Sequence, residues 1–115
     1  MRRLSEHKVT GKDEAILLNR IRSVLKGIEP AAEVILYGSR ARGEADPESD
    51  YDLLILTDGP VTLAREDVFR RSLFPLQLET GAVFTVFLLS RKDWKSPLYG
   101  AMPFGQNVEK DGVVL

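Results

Sequence analysis

Apolar residues recur along the first third of the chain with the period of a helix. From Lys12 to Lys26, Leu17, Ile21, Val24 and Ile28 fall at spacings of four, three and four, which places them on one side and predicts a core-facing helix. Thr10 and Asp13 are a capping pair for its start, and Gly27 followed by Pro30 supplies the stop. A short apolar burst, Val34-Ile35-Leu36-Tyr37, ends abruptly at Gly38, and its bounded length favours a strand. A polar stretch of small residues from Gly38 to Ser49 follows. A second apolar run, Leu53-Leu54-Ile55-Leu56, is closed by the turn signal Thr57-Asp58-Gly59-Pro60.

From Val61 to Glu79 the pattern is again helical, with Leu63, Val68, Leu73 and Leu76 expected to face inward and Pro75 marking a kink or local end. The run Ala82 to Leu89 is rich in β-branched and aromatic residues and reads as the strongest strand, central in the sheet and buried on both faces. After Ser90 the pattern turns irregular around Trp94, Pro97, Tyr99, Met102, Pro103 and Phe104, before a closing Gly112-Val113-Val114-Leu115. The order helix, strand, strand, helix, strand implies an α/β (α+β) protein: one small mixed sheet with helices packed mainly on one face. With 115 residues and no repeat or linker, the expectation is a single domain over residues 1–115.

Charge and cysteine content narrow the chemistry. Sixteen Lys and Arg against 17 Asp and Glu leave a net charge of -1, so there is no global attraction to nucleic acid or an anionic membrane, and any anion site is local. With no Cys and one His, disulfide scaffolds, thiol nucleophiles and the usual zinc sites are excluded. A Ser-His-Asp triad would depend on His7, in a polar start. No apolar stretch approaches ~20 residues, and Met1-Arg2-Arg3 is not followed by a signal-peptide core. The expected location is the cytoplasm.

The loop Gly38-Ser39-Arg40-Ala41-Arg42-Gly43 follows a strand, where backbone N–H groups commonly converge on phosphate. Its outer glycines have P-loop spacing, but Glu44 and Ala45 stand where Lys and Ser or Thr are required, and the dinucleotide fingerprint is missing. What remains is a glycine permitting close approach, the Ser39 hydroxyl, and the Arg40 and Arg42 guanidinium groups, suited to phosphate oxygens. Taken alone, it reads equally as a tight turn with solvated arginines. Further on stand Asp50-Tyr51-Asp52. If the strand already includes Asp50, alternation points both carboxylates to one face. Two carboxylates so placed repel unless a divalent cation holds them, and Mg²⁺ does so with one or two carboxylates plus substrate phosphates. The plainer alternative is an acidic rim shared with Glu44, Asp46 and Glu48.

Together, Gly38-Ser39-Arg40-Ala41-Arg42-Gly43 and Ser49-Asp50-Tyr51-Asp52-Leu53 resemble the signature of the polymerase-beta-type nucleotidyltransferase superfamily, in its minimal, single-domain branch. The match is specific over Val34 to Thr57. Lys92-Asp93-Trp94, Ser96-Pro97-Leu98-Tyr99 and Val108-Glu109-Lys110-Asp111-Gly112 resemble tails of small members. The resemblance implies that Gly38 and Ser39 hold a triphosphate, that Asp50 and Asp52 hold two Mg²⁺ ions, and that an acceptor hydroxyl attacks the α-phosphate with release of pyrophosphate. Active members usually carry a third carboxylate on a later strand. Here Thr85 aligns with it, and Thr contributes no negative charge.

Small members of this branch are found beside a HEPN-domain protein and act as its antitoxin by contact or by attaching AMP. The resemblance therefore implies either an Mg²⁺-dependent, ATP-using nucleotidyltransferase acting on a hydroxyl of its partner, or a catalytically impaired nucleotide-binding and metal-binding antitoxin that works by contact. A structural subunit of a larger enzyme is a third reading. Phe69, Leu73, Phe74, Trp94, Tyr99, Met102 and Phe104 read mainly as core, with an apolar docking face as the alternative. Arg65, Arg70 and Arg71 read as a solvated face, and His7 with the Arg2-Arg3 pair as a mobile or surface segment. A homo-oligomer is left open.

Overall fold

In the computed structural model, which describes residues 1–7 and 11–115, the chain folds around a five-stranded mixed sheet. The elements run β1 (Arg2–Arg3), α1 (Lys12–Ile28), β2 (Glu33–Tyr37), α2 (Ser39–Arg42), β3 (Tyr51–Thr57), α3 (Leu63–Ser72), α4 (Phe74–Thr80), β4 (Phe84–Ser90), α5 (Arg91–Trp94), α6 (Pro97–Ala101), α7 (Pro103–Asp111) and β5 (Val113–Val114). The strand order is β1-β5-β2-β3-β4. β2 lies antiparallel to β3, and β3 parallel to β4, as the intervening helical crossover requires.

β3 is an interior strand buried on both faces: Leu53 and Ile55 enter one core while Leu54 and Leu56 enter the other. The expectation that Ala82 to Leu89 is central is corrected: β4 forms an edge of the sheet. Its apolar content is explained by helical cover on both faces. Phe84, Val86 and Leu88 meet Leu18, Ile21 and Leu25 of α1 and Phe69, Leu73 and Leu76 of α3 and α4 in one core. Phe87 and Leu89 join Trp94, Tyr99, Phe104 and Val108 in the other. The long helices thus share one face, as expected, and the C-terminal segment that the sequence leaves irregular supplies a second, smaller layer and then β5. Most of the aromatic and Met group belongs to these cores, whereas Phe74 remains exposed.

The helical stripes sit slightly off the expected positions. In α1 the buried line is Leu18, Ile21 and Leu25, with Leu17 beside it, and Ile28 is 37% exposed. Gly27 lies inside this helix, which ends where the Glu29 N–H donates to the Leu25 carbonyl. The proposed cap Thr10 falls outside the described residues. The span Val61 to Glu79 divides at Leu73, with Pro75 in the first turn of α4, where its missing N–H costs nothing. Leu73 and Leu76 are buried as expected, but Leu63 and Val68 are 86% and 52% exposed, and Phe69 fills the inward position instead. The start of α3 is fixed by Thr62, whose hydroxyl accepts from the Arg65 N–H at 3.1 Å.

Two arginine clusters fasten the elements. Thr57, the only buried polar residue among those described, accepts from the Gly59 N–H and from Arg65, each at 2.9 Å, and its hydroxyl donates to Glu29, which also pairs with Arg65. Arg91 binds Glu33, Asp58 and the Ala31 carbonyl. Arg70 and Arg71 pair along their own helix with Glu66 and Asp67, in keeping with a solvated face. The Arg2-Arg3 pair is not a loose segment: it forms β1 beside β5, and Arg2 donates to the Ala41 carbonyl at 2.6 Å. No helix among the described residues is long and apolar enough to cross a membrane.

Replacing Thr57 by the near-isosteric Val leaves the Gly59 donor and the Glu29–Arg65 pair short of a partner. The Thr57→Val variant is expected to lose about 1–3 kcal/mol of stability, read from the urea unfolding midpoint.

Candidate functional site

Gly38 carries the chain out of β2 at φ 75°, ψ -157°, a region that L side chains rarely adopt. The turn into α2 is closed by the Gly38 carbonyl, which accepts from the Ala41 and Arg42 N–H groups at 3.1 Å each. This backbone lies directly against the Asp52 carboxylate. A Cβ built on Gly38 would collide with Oδ2 and stand 3.3 Å from Cγ. The glycine is therefore required twice, by its conformation and by its neighbour.

Register explains why Asp52 lies there. Tyr37 pairs with Asp52 across β2 and β3, and Asp52 pairs with Thr85 across β3 and β4, giving a transverse row of Tyr37, Asp52 and Thr85. Tyr51 points to the opposite core, with Leu53 and Ile55. Burial and the nearby Asp50 push the Asp52 pKa up, while a Thr85 hydrogen bond and the Arg42 charge pull against them. Burial first, and then the Asp52 charge, also raise the Tyr37 pKa. Tyr37 was missed as a site residue by sequence reasoning. The available signal was its place just before Gly38 on a strand that pairs with Asp52.

The other expected site residues divide. Ser39 opens α2 beside Gly38, and its carbonyl accepts from the Glu44 N–H at 3.0 Å. Arg42 is exposed and pairs with Glu44 at 3.1 Å, with its charge felt at Asp52. Asp50 is exposed and stands one residue before β3, so the condition that the strand already includes it is not met; it acts on Asp52 as a neighbouring charge.

Arg40 turns the other way. It donates to the Ser49 carbonyl from Nε at 3.2 Å and from Nη2 at 2.9 Å, reaches the Pro47 carbonyl at 3.3 Å, pairs with Glu14 at 3.7 Å, and lies 4.3 Å over the Tyr51 ring. Its guanidinium is thus committed to holding the loop that ends at Asp50, on the face away from Asp52. A cavity of about 730 Å³ opens on that same side, bordered by Ile16, Arg40, Tyr51 and Val83, and Asp52 takes no part in its lining.

No cluster of three or more His, Cys, Asp or Glu suited to a metal occurs among the described residues. The later-strand position beside Asp52 holds Thr85, as the sequence alignment expects. Two carboxylates with raised mutual repulsion and a hydroxyl fit a hard cation that completes its shell with phosphate oxygens and water. They are too few to form an all-protein cage.

The Gly38 turn is thus pressed on the Asp52 carboxylate, with Asp50 one residue before the strand. The model of the nucleotidyltransferase domain matches residues 18–97, and the chain belongs to that family. Among solved structures, a chain of a toxin-antitoxin with AMP-PNP aligns at TM-score 0.57 and 20% identity, over 84% of this chain and 69% of that one, which establishes the shared fold. Cid1, described by its RNA terminal uridylyl transferase activity, aligns at TM-score 0.48 and 20% identity over 94% of this chain and 40% of its own. A cytoplasmic RNA terminal U-transferase aligns at 0.47 and 21%, over 92% and 38%. The chain spans about two-fifths of the length of those two transferases. No curated protein matches the sequence.

Two outcomes are expected. Gly38→Ala places a side chain at positive φ against a carboxylate and should cost more than the ~1–2 kcal/mol of the backbone conformation alone, measured by chemical denaturation. Because folding raises the Asp52 pKa, the folded state holds that proton more tightly than the unfolded chain. The residue's contribution to stability therefore falls as pH rises from the ordinary aspartate range through the raised value. Asp52→Asn should accordingly be more stable than the parent at neutral pH without divalent cations, with the difference closing in acid.

Proposed function

We propose that the chain transfers a nucleoside monophosphate from ATP to a hydroxyl of a partner protein, and that the partner is a HEPN-domain toxin held in check in the cytoplasm. The observation that carries this reading is the fit of Gly38 against Asp52, which puts the phosphate-approach turn and a metal-type carboxylate in contact. The AMP-PNP in the toxin-antitoxin neighbour supports an adenine nucleotide here. Gly38 and Ser39 would take the β- and γ-phosphates, with Arg42 offering charge at the rim. Asp50 and Asp52 would hold Mg²⁺, which when bound neutralises phosphate charge and polarises the reacting oxygens.

The acceptor hydroxyl oxygen bonds to the α-phosphorus as the bond to the bridging oxygen breaks, pyrophosphate leaves, and the hydroxyl proton passes to solvent. With Thr85 at the position beside Asp52, no carboxylate on β4 is available to take that proton.

Thr85 also favours a second reading, in which the chain binds nucleotide and neutralises its partner by contact alone. Incubation with α-labelled ATP, Mg²⁺ and the HEPN-domain protein distinguishes the two. Label on the partner that drops at least about a hundredfold in Asp50→Asn and Asp52→Asn is the expected result for transfer. Neutralisation that persists in both variants without label supports contact. Thr85→Asp should raise the rate in the first case and leave neutralisation unchanged in the second.

A further inference from the structure

Asp50 and Asp52 are held in place by different means. Asp52 lies within β3, where pairing with Tyr37 on one side and Thr85 on the other fixes its height. Asp50 precedes the strand, is exposed, and lies outside that register. Its two neighbours are held instead, and by one side chain. Arg40 donates from Nε and Nη2 to the carbonyl of Ser49, just before Asp50, and lies 4.3 Å over the ring of Tyr51, just after it. Nη2 also reaches the Pro47 carbonyl, and Nη1 pairs with Glu14 of α1. The Arg40 and Glu14 side chains are only 12% and 10% exposed, so salt screens this pair little.

The Ser49 carbonyl and the Asp50 N–H belong to one planar peptide unit, so bonds that fix the carbonyl also fix the plane from which Asp50 starts. On the far side, the Tyr51 N–H donates to the Val83 carbonyl at 2.8 Å, and its ring is buried in the core opposite Asp52. With both flanking peptides held, the Asp50 carboxylate is left with little more than its own side-chain rotation. We propose that Arg40 is the positioning residue for Asp50: it touches neither cation nor nucleotide, and from behind the strand it sets where this acid stands relative to Asp52. The inference rests on the reading that the two acids hold Mg²⁺. It replaces the phosphate contact expected of Arg40 with a different role. The geometry calls for arginine, because three nitrogens serve the Ser49, Pro47 and Glu14 oxygens in the fixed plane of a guanidinium lying on an aromatic face, a spread that one ammonium cannot cover. Arg40 also belongs to α2, which Gly38 opens, so a single side chain joins the phosphate turn to the acid that follows it.

Charge and position make opposite forecasts. A guanidinium near two carboxylates repels a cation, so through charge alone Arg40→Gln would tighten cation binding and Arg40→Lys would leave it unchanged. Through position, both variants weaken it by about tenfold or more, the usual cost of losing a group that orients a metal ligand. Binding is read from the electron paramagnetic resonance signal of free Mn²⁺ titrated with the full chain, without nucleotide or turnover. Arg40→Lys added to Asp50→Asn is expected to cost nothing further, since the acid it positions is gone. In the metal-free protein, exchange of the Ser49 amide, which donates to the Asp46 carbonyl, should quicken in both variants. The Leu54 and Ile55 amides of the interior strand should keep the parent's protection, which shows both variants folded. Unchanged or tighter Mn²⁺ binding in Arg40→Gln, no loss in Arg40→Lys, a loss that persists in full on Asp50→Asn, or unchanged exchange at Ser49 overturns the proposal. A parent that takes up no Mn²⁺ is a separate failure, and overturns the two-acid reading beneath it.

Discussion

The contact between the Gly38 backbone and the Asp52 carboxylate is the constraint on which the site depends. It needs a residue without a side chain, at positive φ, placed by β2 at the height where β3 turns an acid toward it. Neither partner can be moved separately. The antiparallel register of β2 and β3 sets the approach, and that register is held by a strand buried on both faces, for which a one-residue slip would exchange two complete sets of core side chains.

The second helical layer bears on the same point. Phe104 stacks on Phe87 at 5.7 Å and meets Tyr37 edge-on at 5.4 Å, so the row containing Asp52 is bordered by an aromatic cluster at both of its flanking strands. This cover is what partly removes Asp52 from water and, with Asp50 nearby, leaves its charge costly in the ligand-free protein. An arriving cation relieves that cost.

Legibility in the sequence followed how local each signal was. The turn at Gly38, Asp52 at the strand start and the position of Thr85 were readable because each depends on residue type at a strand end, whereas Asp50 falls one residue short of the strand expected to carry it. The mixed sheet was readable from bounded apolar runs. The edge position of β4 was not, because burial by helices on two faces and burial by neighbouring strands leave the same apolar run in a sequence. Arg40 was assigned to phosphate on chemistry alone, and nothing in its identity records which face of the turn it leaves from. The C-terminal helices are short and rich in Gly and Pro, so their periodicity never completes enough turns to register. Leu63 and Val68 misled because the helical phase was set across a span that breaks at Leu73.

Arg40 grips the loop between α2 and β3 by carbonyl oxygens, at Pro47 and Ser49. A carbonyl carries no side-chain identity, so the fastening is indifferent to which amino acids supply it. Ala45, between the Glu44 that pairs with Arg42 and the Asp46 whose carboxylate accepts from the Glu48 N–H at 2.8 Å, lies upstream of that anchor. It can change in identity, or accept an insertion, over evolutionary time without displacing the acids downstream. Variability there and constancy at Arg40 would be two signs of a single mooring.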